Sequence, residues 1–174
     1  MPYLIPIVLA AAALAVLTDV RSRRIPNWLT YGLAIVALGF QALHGFVPAL
    51  EAIGIYVVVM FLGLLAFSLG WLGGGDVKLL AAAAAAFGFP DCVAFVLYTS
   101  IGGGLLAVAV SLARGQLLAN LASALAVLRP LAVRGTVVVA PKTKTMLPYG
   151  CAIAFGATVV ALANSVAPYL RLPI

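Results

Sequence analysis

A chain of 174 residues that is 66% apolar and only 8% charged has too little polar surface to fold as a soluble domain. Its length allows one compact bundle and no sizeable aqueous domain. The net charge of +6 does not point to nucleic acid, because the basic residues lie in loops beside apolar runs, and the reading is an all-α, polytopic membrane protein.

Pro2 to Thr18 is apolar and just long enough to cross a bilayer, which takes about 17–25 residues. Arg21, Arg23 and Arg24 follow this run instead of preceding it, the reverse of a secretion signal. A retained first span with its N-terminus outside is predicted. Ile25-Pro26-Asn27 closes the basic loop, and a second span covers residues 28–43, with Trp28 and Tyr31 at interface depth. A loop from His44 to Leu50 leads to a third span over residues 51–69.

Gly73-Gly74-Gly75-Asp76-Val77-Lys78 then interrupts the apolar pattern. Consecutive glycines fit a tight turn or a close approach by another chain. The next apolar segment, 77–89, is about 20 Å of helix at 1.5 Å per residue, short of a core roughly 30 Å thick. A helix that short would hold Asp76 in a recess below the near interface. Pro90-Asp91 marks a turn, and a fifth span covers 92–113, where Gly102-Gly103-Gly104 permits close helix packing.

Within the loop 114–146, Leu117, Leu118, Leu121, Leu125 and Leu128 recur at helical spacing, which predicts an amphipathic helix lying on the membrane surface. A sixth span covers 147–169. With six spans, nine of the ten Lys and Arg residues fall on one side and only Arg171 on the other, which makes the basic side cytoplasmic. Cys92 and Cys151 form no CxxC or Cys/His cluster, so neither zinc nor a disulfide framework is indicated, and His44 reads as a loop residue.

Four carboxylates remain. Glu51 and Asp91 begin outer ends of helices, where a negative charge meets the positive pole of the dipole. Asp19 ends the first span, near a negative pole, and Asp76 begins the fourth; both fall on the cytoplasmic side. A salt bridge to the neighbouring arginines and a simple helix cap would be the structural explanations of these two. If they converge, the pair shares a proton, and one member activates water while the other polarises a carbonyl. The helix ends suggest Asp76 as base and Asp19 as acid.

Three local patterns resemble the type IV prepilin peptidases, membrane aspartic proteases with a G-x-G-D motif. They are Asp19-Val20-Arg21-Ser22-Arg23-Arg24-Ile25-Pro26-Asn27, Gly73-Gly74-Gly75-Asp76-Val77-Lys78-Leu79 and Leu147-Pro148-Tyr149-Gly150. The resemblance implies a peptidase of the bacterial inner membrane that removes the basic leader of pilin-like precursors after a glycine, at the cytoplasmic face. Asp19 and Asp76 match its catalytic pair. Gly73, Gly75, Lys78, Pro26, Asn27, Pro148, Tyr149 and Gly150 match positions that shape the site. No cofactor or metal is implied; the partners are the precursor, membrane lipids and pilus assembly machinery, with no nucleic acid. Only a short loop joins Asp19 to Trp28, so the chain looks like the short, CpaA/TadV-like form of tight-adherence (Flp) pilus systems, without the cysteine-bearing insertion linked to methylation. The competing readings are a presenilin-like intramembrane protease and a non-enzymatic transporter or assembly scaffold.

Overall fold

The computed structural model of the chain describes residues 3–22, 24–115 and 149–170, with side chains as far as Ser165 in the last helix. The described residues fold into six helices: α1 (Ile5–Ser22), α2 (Asn27–Leu43), α3 (Phe46–Ser68), α4 (Gly74–Phe87), α5 (Asp91–Ala113) and α6 (Tyr149–Leu170). The surface helix expected within 114–146 and the motif residue Pro148 lie outside the described residues. Two compact units divide the chain, residues 1–103 with 148–174, and residues 104–147. All contacts described below lie in the first; of the second, the described part is the end of α5 with the turn Arg114–Gly115.

α1, α3 and α5 are long and apolar enough to cross a membrane, and α2 and the Tyr149–Ser165 part of α6 are shorter apolar helices. α3 buries only Ala52 and Gly63 and turns Val57, Val58, Phe61 and Leu62 outward. A surface so apolar belongs in lipid, and the protein is a multi-pass membrane protein with three candidate spans.

α4 has 14 residues and is buried from Val77 to Phe87 except at Lys78. Its alanine run, Ala81 to Ala86, presents only methyl groups, so neighbouring backbones come close. α2 and α3 pack against it most extensively, α1 pairs with α6, and smaller contacts join α4 to both of these. Gly63 of α3 makes the tightest approach: a Cβ there would sit 2.6 Å from Val77 Cγ1.

Several boundaries differ from the sequence reading: α1 runs on to Ser22, past the expected Thr18, α4 covers Gly74–Phe87 instead of 77–89, and two further differences bear on packing. α3 begins at Phe46, so residues 46–50 are helix and not loop. Pro48 is accommodated because the first turn of a helix has no intrahelical partner for its N–H groups. Glu51 therefore lies in the second turn, and its Oε1 accepts the Phe89 N–H at 2.8 Å, fastening α3 to the α4–α5 turn instead of opposing a helix pole. The second difference concerns the glycine run. The chain reverses earlier, at Gly70 (φ +75°), while Gly74 and Gly75 already belong to α4.

Candidate active site

Asp19 lies one turn from the end of α1 and is 6% exposed. Its Oδ2 accepts a hydrogen bond from the Gly150 N–H at 3.0 Å, in a buried setting. Gly150 is the second residue of α6, so this N–H has no partner within its own helix. Asp19 thus caps α6 from across the bundle, and the glycine permits it: a Cβ at 150 would lie 3.2 Å from Asp19 Oδ2 and 3.4 Å from the Ala15 carbonyl oxygen. The sequence placed this carboxyl at a negative helix pole. In the structure it also touches the positive pole of a second helix, so the argument that made Asp19 the acid loses its premise.

Asp76 is the third residue of α4 and half-buried. Its Oδ2 reaches back to accept the Gly73 N–H at 3.1 Å, which is half of a capping box. The reciprocal half needs a side chain at the cap, and Gly73 has none; one added there would meet Asp76 Oδ2 at 2.7 Å. Asp19 is close enough to Asp76 to act on it electrostatically, and Asp76 in turn acts on the phenol of Tyr149. One acid is buried and fixed, and the other is partly exposed.

The remaining motif residues hold these two in place. Gly75 lets the α1–α2 connection settle on the start of α4: a Cβ there would stand 3.1 Å from Ile25 Cβ and 3.3 Å from the Ile25 carbonyl oxygen. Pro26 caps α2 in an extended conformation (φ −69°, ψ 140°), and its carbonyl accepts the Leu29 N–H at 3.1 Å. Lys78 donates from Nζ to Asn27 Oδ1 at 3.2 Å and stands 4.9 Å from the centre of the Tyr31 ring. Two motifs far apart in the chain are therefore docked on each other. Tyr31 was not singled out as a partner of Lys78, although it follows Asn27 by four residues and so shares its face of α2.

Tyr149, the first residue of α6, owes its position to α5. A Cβ at Gly103 would fall 2.6 Å from Tyr149 Cε2, and one at Gly102 would fall 2.8 Å from Phe155 Cδ1. Gly104 meets nothing within 4 Å, so two glycines of that run serve helix packing. The other two acids stand at the far end of α4, where Glu51 binds the Phe89 N–H and Asp91 Oδ2 accepts from Asn164 Nδ2 at 2.7 Å. The structure brings together Asp19, Asp76, Gly73, Gly75, Tyr149 and Gly150, with Pro26, Asn27 and Lys78 bracing one side. Among the described residues, no group of three His, Cys, Asp or Glu side chains is disposed to hold a metal ion.

The model of the type IV leader peptidase family matches residues 6–108, more than half of the chain, a segment that includes Asp19, Ile25-Pro26-Asn27 and Gly73–Lys78. No curated protein and no solved structure matches the chain. On the family match, the chain belongs to the type IV leader peptidase family, the aspartic-type prepilin peptidases.

Proposed function

We propose that Asp19 and Asp76 are the catalytic pair of a leader peptidase that cuts a pilin-like precursor at the cytoplasmic face of the bacterial inner membrane, after the glycine that precedes the precursor's apolar helix. The observation that carries this reading is the convergence of a fixed, buried carboxyl and a half-exposed one at the first turn of a short helix. Between them the two acids hold one shared proton. The ionised member takes a proton from water as the water oxygen bonds to the scissile carbonyl carbon. The protonated member gives its proton to the carbonyl oxygen. Collapse of the resulting diol breaks the C–N bond as a proton passes to the nitrogen, leaving a leader carboxylate and a new amine.

Six crossings, with α4 short and the dyad in a recess at the basic side, are part of the same proposal, as is an N-terminus outside. The short α1–α2 connection supports the tight-adherence form, and methylation of the new N-terminus is not part of the proposal. Position at the first turn of α4, where Asp76 is partly exposed, supports cleavage at the membrane surface over cleavage within a membrane helix. The test uses Asp19→Asn and Asp76→Asn, which keep an acceptor oxygen for the Gly150 and Gly73 N–H groups. Each is expected to lower precursor cleavage by about a thousandfold or more while the protein stays folded. Processing that persists in either variant defeats the proposal.

A further inference from the structure

Each of the four acids of this chain accepts a hydrogen bond, and among the described residues the other charged side chains near the dyad are basic. Asp19 receives the Gly150 N–H, Asp76 the Gly73 N–H, Glu51 the Phe89 N–H and Asp91 the Asn164 amide. Glu51 and Asp91 lie beyond the C-terminal end of α4, about 20 Å of helix from Asp76. Around the dyad, Arg21 and Arg24 are exposed at the end of α1 and in the loop after it, and Lys78 is engaged with Asn27 and Tyr31. Arg23 adds a further cation to the same stretch of sequence.

On the peptidase reading, on which this inference rests, the leader that approaches this end is itself basic. It meets guanidinium groups and finds no spare carboxylate. The dyad cannot serve as its counter-charge: a leader cation beside Asp19 and Asp76 would favour ionisation of both and remove the proton that the scissile carbonyl needs. The surface beside the arginines has a different complement. Trp28 is 66% exposed and Tyr31 50% exposed in the first turns of α2, next to Arg24 in the chain. Large aromatic rings with a polar edge, set beside arginines, suit a layer of phospholipid headgroups, and guanidinium groups bind phosphate oxygens in pairs.

We propose that the protein recognises the charge of the leader indirectly, through anionic phospholipid gathered at a rim of Arg21, Arg24, Trp28 and Tyr31, and through no carboxylate of its own. The headgroups answer both sets of cations, and the leader arrives already concentrated in the plane of the dyad.

The full chain reconstituted in vesicles tests this. Two synthetic precursors are compared, one with a Lys/Arg leader and one with Gln in those positions, each with a glycine before an apolar helix. In phosphatidylcholine alone, kcat/KM for the two is expected to agree within about threefold; with about 30% phosphatidylglycerol the basic precursor gains about tenfold and the Gln precursor does not. In a Trp71→Phe background, brominated phosphatidylglycerol is expected to quench Trp28 more than brominated phosphatidylcholine does, and Arg21→Gln with Arg24→Gln to abolish the difference. A preference of about tenfold for the basic leader in phosphatidylcholine, or no gain in phosphatidylglycerol, overturns the inference and leaves the peptidase reading standing. Equal quenching by the two lipids does the same. Absence of cleavage in every vesicle overturns the peptidase reading, and this inference with it.

Discussion

Asp19 accepts the Gly150 N–H through one oxygen, so two substitutions divide its structural contribution from its chemistry. Asn retains the acceptor, and Asp19→Asn is expected to melt within a few degrees of the parent in detergent while losing activity. Asp19→Ala leaves a buried N–H without a partner and is expected to cost about 1–3 kcal/mol, read as a lower Tm. Equal melting of the two variants would show that the bond adds nothing to the fold. Lys78 is argued the same way. Lys78→Met removes the hydrogen bond to Asn27 and the charge near Tyr31, an expected loss of about 1 kcal/mol, of which Lys78→Arg recovers part by keeping a cation near the ring. Neither partnership is visible in the sequence. The carboxyl and its donor are 131 residues apart, and the ammonium and its acceptor 51, and apolar periodicity does not report which helices touch.

At the scale of the element, glycines set how closely the helices stand. A methyl at Gly63 would press on Val77, whose Cγ1 is 2.6 Å from the added carbon, and Gly63→Ala is expected to cost about 1–3 kcal/mol. Pairing it with Val77→Ala should return much of that loss in a double-mutant cycle. Gly39, with nothing within 4 Å among the described residues, is the control, and Gly39→Ala is expected to be neutral or mildly stabilising. Most of the helices were legible because long apolar runs bounded by charges and prolines leave few alternatives; α5 was read from Cys92 and begins at Asp91. The start of α3 was not, since Gly45 and Pro48 look like loop residues until the proline is seen to occupy a first turn. The glycine run before Asp76 was read for a tight turn or for the close approach of another chain; the positive-φ turn falls earlier, at Gly70, and the close approach comes from this chain itself. Its Gly75 serves contact with Ile25, a purpose that depends on the fold of a loop about 50 residues earlier.

At the scale of the whole molecule, the four acids and their partners among the described residues divide between the two ends of α4. Asp19, Asp76 and Lys78 cluster at its beginning, and Glu51, Asp91 and Asn164 beyond its end. Single cysteines placed at Arg24 and at His44, with Cys92 and Cys151 replaced, are expected to react with an impermeant maleimide from opposite sides of the membrane, Arg24 from the cytoplasm. Labelling from one side only would rule out the proposed crossing by α2. Its chain segments meet at one end because Asn27, Gly75 and Gly150 each admit a neighbour closely, which is why the local motifs could be read in sequence while their mutual arrangement could not.

The alanine run of α4 has a consequence for how the end that carries Asp76 is held. A rod clothed only in methyl groups offers its neighbours little relief to grip, so resistance to its turning about its long axis must come from its tips. Lys78 locks one tip to α2, while at the other Phe87 rests on Phe95 with ring centres 5.0 Å apart. Loosening the distant Phe87 fastening should therefore detune Asp76, lowering turnover from the far end of α4 without any change at the proposed dyad itself.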